Sequence, residues 1–332
     1  MNSATQDTKN EHFDVIVMGE ILLEVATDVP FGHAIPAQLG ISGDALNVAA
    51  AAAAAGARTG LLAVLPDDDL GQAIAARIAE LGIATDLLKF RPGQQGAYLV
   101  HSDPLGQREF SYARSGSVGS TLSPDDIDES VFSSAGAVLA GGIACAISES
   151  SRAAVLRAAS LTKRFIFDPN FRPRLTSAGE ASRLLAELAP QSYLVTPSFP
   201  GETSTLLNVS SAGEAAIKLR AMGAKNVAVT CGADGIQLES DSVSAWIDAI
   251  TAPLVVDQTG AGDAFVGTTT ARIVRGDSLP QAARYGAAAA SLVVGGKGGT
   301  GLIPTFEQTQ AHAKKTQAHA TGIKEERLSW SA

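Results

Sequence analysis

Cysteine is nearly absent: Cys145 and Cys231 are the only two, in unrelated surroundings, so neither a disulfide framework nor a thiolate metal site is suggested. A basic excess is missing as well. Lysine and arginine number 25 against 34 aspartates and glutamates, a formal charge of −9, and no basic field gathers the phosphates of a nucleic acid. No uninterrupted apolar run approaches the roughly 18 residues that a membrane helix needs. Residues 1–11 are polar and lack the apolar core of a signal peptide. These absences predict a cytoplasmic protein with no nucleic acid and no membrane among its partners. No internal repeat stands out, and no dedicated metal cage is visible.

What is present is an alternation of short apolar runs with helical stretches. Apolar residues make up 45% and charged residues 18% of the 332, a composition that suits a globular chain with a substantial core. Residues 13–19 read as a buried strand of a parallel sheet, and 20–25 as continuing from its end. The alanine-rich stretch opened by Asn47 reads as a helix able to lie close to a sheet, followed by a strand at 61–65 and a helix at 70–81. The pattern then changes. Residues 96–101 and 107–113, separated by the turn signal Asp103-Pro104-Leu105-Gly106, predict an antiparallel hairpin that would form a small lid together with 27–39. From Ser123 the rhythm resumes, with strands at 137–141, 165–168, 193–195 and 226–230, a hairpin-like segment at 235–250 and a helix over 280–294. Such alternation predicts an α/β fold, a mostly parallel sheet flanked by helices on both faces. Ligands on such sheets bind at the carboxyl ends of the strands, where Glu24, Asp168–Arg172 and Thr230–Gly235 fall.

The stretch Asp257-Gln258-Thr259-Gly260-Ala261-Gly262-Asp263-Ala264-Phe265 reads as a phosphate cradle opening a helix. Gly260 and Gly262 let successive N–H groups converge on an anion, and the first helical turn adds its own free N–H groups. Asp263 would repel that anion unless it takes a proton from a hydroxyl that attacks it. In isolation, a glycine-rich turn with Asp263 as helix cap explains the residues equally well. The same balance holds for Thr230-Cys231-Gly232-Ala233-Asp234-Gly235, which is either a nucleotide-contacting turn or a plain β-turn.

From about Asp14 to Pro304 these residues resemble the ribokinase/PfkB family of carbohydrate kinases. The C-terminal signature of that family, Asp-Thr-x-Gly-Ala-Gly-Asp, stands here as Asp257 to Asp263, and the N-terminal Gly-Gly-x-x-x-Asn as Ser42-Gly43-Asp44-Ala45-Leu46-Asn47. The resemblance implies a ribokinase-like kinase domain over 13–304 with lid insertions at about 27–41 and 92–115, and flexible tails at 1–12 and about 319–332. It implies an anion hole at Gly260, Ala261 and Gly262 and a catalytic base at Asp263. The sugar would meet Glu24, Gly43, Asp44 and Asn47, with a helix cap as the alternative for Asn47. Mg-ATP would lie across Thr230, Gly232, Gly235, Asn170 and the loop 295–299 with Lys297. Dimerisation through the lid is a further expectation.

Within the family the chain is most similar to the 2-keto-3-deoxygluconate kinases. Their Asp-x-Asn-x-Arg is matched by Asp168-Pro169-Asn170-Phe171-Arg172, and their lid tyrosines and arginine by Tyr98, Tyr112 and Arg114. Two arginines can neutralise a sugar carboxylate, a task that a neutral sugar does not set. The alternatives are an ion pair with Asp168 for Arg172 and a solvated charge for Arg114. Three positions depart from the pattern. Ser198-Phe199-Pro200-Gly201-Glu202 stands where the family often has Asn-x-x-Glu, leaving Glu202 as the carboxylate that would orient water around Mg2+. Gln258 replaces a threonine beside a possible K+ site at Asp257 and Thr259, and Thr176 stands where acid-sugar kinases have tryptophan. A fructokinase or ribokinase-like enzyme of a neutral sugar and a non-catalytic sugar or nucleotide sensor are the competing readings.

Overall fold

The computed structural model describes residues 12–102 and 108–314, so the turn expected at 103–106 and, apart from His12, both expected tails lie outside the described residues. The first strand, β1 (Val15–Met18), shows why the core has two halves. All four of its side chains are buried, Val15 and Val17 in one apolar cluster and Ile16 and Met18 in another. Successive strand residues point to opposite faces, so a run without polar residues requires cover on both.

The chain continues through β2 (Leu22–Thr27), β3 (Gln38–Ser42), α1 (Asp44–Ala54), β4 (Thr59–Leu62), β5 (Val64–Pro66), α2 (Asp69–Glu80), β6 (Lys89–Arg91), β7 (Ala97–Ser102) and β8 (Arg108–Ala113). Next come α3 (Glu129–Ser134), β9 (Ala137–Gly141), α4 (Gly142–Ala146), α5 (Glu149–Leu161), β10 (Phe165–Asp168), α6 (Ala178–Leu188) and β11 (Ser192–Val195). The last part holds α7 (Thr203–Leu207), α8 (Ala212–Ala221), β12 (Asn226–Thr230), β13 (Gly235–Ser240), β14 (Ser244–Asp248), α9 (Ala261–Val274) and α10 (Leu279–Val293).

Eight strands form the main sheet in the order β14-β13-β12-β11-β10-β9-β1-β4. Pairing is parallel from β4 to β12, and β13 and β14 extend one edge antiparallel. Helices cover both faces; the alanines of α1 let it approach α9 closely, where Ala51, Ala264 and Val293 pack together. Both cysteines are free and buried, and burial pushes the Cys145 thiol up to about 12, so it stays protonated. No helix among the described residues is long and apolar enough to cross a membrane.

The second sheet has the order β3-β2-β7-β8. Residues 20–25 therefore do not continue β1. The chain leaves the main sheet after Met18, and β2 pairs in parallel with β7 and antiparallel with β3. Register places Gly40, Glu24, Tyr98 and Tyr112 in one row across this sheet and Leu39, Val25, Leu99 and Ser111 in the next, on the opposite face. The strand expected at 61–65 is likewise split: β4 ends at Leu62 in the main sheet, whereas β5 pairs with β6. In both places an unbroken apolar run hides a change of partner.

Candidate active site

A cavity of about 1090 Å³ lies where the carboxyl ends of the parallel strands meet the second sheet. The main sheet contributes Glu20 after β1, Asp168 and Asn170 at the end of β10, Thr196 and Ser198 after β11, and Thr230 at the end of β12. From the second sheet and the segment leaving it come Tyr98, Tyr112 and Arg114. Gly260, Gly262 and Asp263 complete the wall at the start of α9.

Helix α9 begins at Ala261, which puts Asp263 inside its first turn. Gly260 caps it with φ +83°, a left-handed conformation that a side chain disfavours. No atom lies within 4 Å of where a Cβ on Gly262 would sit, so the space beside the first-turn N–H groups is open. Asp263 is half-buried and accepts a hydrogen bond of 2.7 Å from Asn47 Nδ2. Removal from water, with the charge of Asp44 nearby, raises its pKa to about 7.

Asn47 is not a helix cap. Its side chain spans 216 positions of sequence to reach Asp263, and its buried Oδ1 has no partner among the described residues. A Cβ on Gly299 would come within 2.3 Å of the Asn47 amide, so the loop 295–299 lies directly on it. Asp44, in the first turn of α1, is raised by burial despite the charges of Arg114 and Arg172. Asp168 is held well above the usual carboxylate range, first by burial and then by Glu202, Asp263 and Asp44. The wall thus concentrates carboxyl groups, offset by arginines.

Arg172 lines the cavity, donates to the Phe171 carbonyl (3.4 Å) and forms no salt bridge with Asp168. Arg114 is half-buried and ion-paired with Glu20, so it is not a solvated charge. Tyr98 donates to Glu24, and the buried phenol is raised above its ordinary pKa. Tyr112 lies 5.9 Å from Tyr98, ring to ring. Gly43 caps α1 and lines the cavity, as does Thr230. Glu24, Gly232, Gly235 and Lys297 do not line it. Lys297 Nζ donates to Asp28 at 2.6 Å, and the Cys231 N–H donates to the Gly235 carbonyl in a closed turn. Asn170 has φ +38° and donates its N–H to Asp168 at 3.3 Å. Asp257 accepts from the N–H groups of Thr259 and Gly298 at 2.8 and 2.9 Å.

Glu202 is buried and accepts from Phe171 N (2.5 Å), Ser198 N (2.7 Å) and Ser198 Oγ (3.0 Å). It clasps two loops of the wall. Two charged lining residues escaped the sequence reading: Glu20, directly after β1, and Arg174, whose Nη1 donates to the Phe110 carbonyl of β8 at 2.9 Å. The strand-end rule that singled out Glu24 applies equally to Glu20.

Residues 14–305 match the pfkB family of carbohydrate kinases. The chain belongs to that family. As a PfkB-family carbohydrate kinase it phosphorylates a sugar, and its relatives narrow the comparison. It is 33% identical over 302 residues to the 2-dehydro-3-deoxygluconokinase of Thermoproteus tenax, covering 89% of this chain and 93% of the relative. It is 27% identical to the 5-dehydro-2-deoxygluconokinase of Shouchella clausii, over 92% and 97% of the two chains. The ribokinase-like fold is shared with a ribokinase II from E. coli solved with ATP and Mg2+, at a TM-score of 0.82, 22% identity and coverage of 91% and 99%.

Proposed function

We propose that this kinase transfers the γ-phosphate of ATP to a primary hydroxyl of a sugar acid, 2-keto-3-deoxygluconate (also called 2-dehydro-3-deoxygluconate), with Asp263 as the base. The observation that carries the chemistry is Asp263 itself. A carboxylate with a pKa near 7 stands in the first turn of a helix whose N–H groups face open space. That pairing of base and anion cradle suits a hydroxyl attacking a phosphate. Asn47 holds the carboxylate by one oxygen, leaving the other to accept the hydroxyl proton.

The N–H groups of the cradle fit a phosphate. Among the described residues no group of three His, Cys, Asp or Glu is placed to hold a metal, and the Glu202 oxygens already have three donors. Mg2+ would therefore enter with the nucleotide, held by phosphates and water, with Glu202 acting only through water. When bound, the ion supplies positive charge against the phosphates. Thr230, Gly232, Gly235 and Asn170 are the proposed nucleotide contacts, together with Lys297 once it exchanges Asp28 for the nucleotide.

Three arginines, Arg114, Arg172 and Arg174, in the cavity wall support an acidic sugar, as do relatives named for keto-deoxy-gluconates. The second sheet acts as the lid that keeps water from the phosphate, and Tyr98 and Tyr112 on its inner row pack against the sugar. Leu39 and Leu99 on the outer face, 69% and 36% exposed, support a homodimer through the lid. In steady-state kinetics, Arg172→Ala is expected to raise KM for 2-keto-3-deoxygluconate about tenfold or more while leaving KM for fructose unchanged. Unchanged KM for the acid, with neutral sugars turned over, would reverse the choice to a neutral-sugar kinase.

A further inference from the structure

Glu20 is a charged residue of the cavity wall that the reading above does not use. It sits where the chain leaves β1 for the second sheet, and it is 2% exposed. Oε1 accepts from Ser117 Oγ at 2.5 Å, and Oε2 from Arg114 Nη2. The slot is made for it by two glycines. A Cβ on Gly119 would come within 2.7 Å of Glu20 Cγ, and one on Gly96 within 3.1 Å of Oε1. A buried carboxylate with two donors and no slack fixes what it holds.

What it holds is one edge of a guanidinium. A guanidinium carries five N–H donors in a rigid plane, so anchoring one Nη sets the direction of all the others. Arg114 is part of the cavity wall, and its buried Nε has no acceptor among the described residues. The pair is also neutral as a unit. Arg114 then meets the cavity as an oriented donor, while Arg172 has no ion pair of that kind among the described residues.

We propose that Glu20 is a positioning residue: it holds Arg114 so that the remaining guanidinium donors meet the carboxylate of the sugar acid. This rests on the acid-sugar reading above. Position and charge can be separated by two substitutions. Glu20→Asp keeps the charge but draws the carboxylate back by one methylene. Glu20→Gln keeps the length, and its amide oxygen can still accept from Arg114 if the Ser117 hydroxyl turns to accept from the amide NH2.

The test is steady-state kinetics with 2-keto-3-deoxygluconate in wild type, both variants, Arg114→Ala and the double variant Glu20→Asp/Arg114→Ala. Glu20→Asp is expected to raise KM for the acid about tenfold with kcat and KM for ATP little changed. Glu20→Gln should leave KM at or below the wild-type value. In the Arg114→Ala background, Glu20→Asp should add nothing, because its effect passes through that guanidinium. An unchanged KM in Glu20→Asp, a rise in Glu20→Gln as large as in Glu20→Asp, or a rise that persists without Arg114 would each overturn the inference. If Glu20→Asp does not fold, Gly119→Ala displaces Glu20 without altering it, and the same rise in KM is required. A wild type inactive on every sugar acid would instead overturn the acid-sugar reading, and this inference with it.

Discussion

Asp263 brings together requirements that oppose each other. A phosphate held in the anion cradle repels a carboxylate beside it, yet a base must be ionised near neutral pH to take a proton. Burial raises its pKa to about 7, and Asn47 limits the rise by stabilising the charged form. Asp263→Asn is therefore predicted to lower kcat at least ~10²-fold with KM largely kept. In wild type, kcat/KM should increase as pH rises through about 7, because the base works only when deprotonated. A pH–rate profile flat between 6 and 8, or near-normal turnover in the variant, would remove Asp263 as base. Asp263 and Asn47 were legible in the sequence because each lies in a short local signature. Glu20 was not, because its partners Arg114 and Ser117 lie 94 and 97 positions away and only the fold joins them.

Among the elements, the glycine-rich loop 295–299 and the residue after it tie the second sheet to the cradle. Lys297 reaches Asp28 just after β2, Thr300 Oγ1 donates to the Ile41 carbonyl of β3 at 3.4 Å, and Gly298 N–H donates to Asp257 at 2.9 Å. Gly299 lies on Asn47. Movement of the second sheet is thereby linked to the residues that hold Asp263. Gly299→Ala should push the Asn47 amide off Asp263, because its Cβ would stand 2.3 Å from Nδ2. The expected result is a fall in kcat of about tenfold or more, larger than the change in KM for ATP. An unchanged kcat would mean that the Asn47 contact does not matter for turnover. The elements themselves were readable wherever an apolar run stayed in one sheet, as in β10, expected at 165–168 and found at Phe165–Asp168. They were misread at 20–25 and 61–65, where apolarity marks a strand but only distant pairing with β7 or β6 says to which sheet it belongs.

For the whole molecule, the carboxyl-rich cavity sets a pH dependence of stability. Glu20, Asp44, Asp168 and Asp263 all have folded pKa values above their ordinary ones, with burial as the main cause. The folded state therefore binds more protons than the unfolded chain. Stability from these groups is fully present below about pH 4 and is lost as pH rises through the folded values, about 7 for Asp263. Asp263→Asn removes one of them. The variant should melt above wild type at pH 8, on the order of 2 °C, and the difference should shrink toward pH 5. A difference that grows toward low pH would contradict the sign of the shift. A more stable but inactive variant is what a site that trades stability for chemistry produces. The central claim is tested most directly by one coupled assay of ATP consumption offering 2-keto-3-deoxygluconate, fructose, ribose and a nucleoside in parallel. The prediction is the highest kcat/KM for 2-keto-3-deoxygluconate; a higher value for any of the neutral compounds would contradict the acid-sugar account.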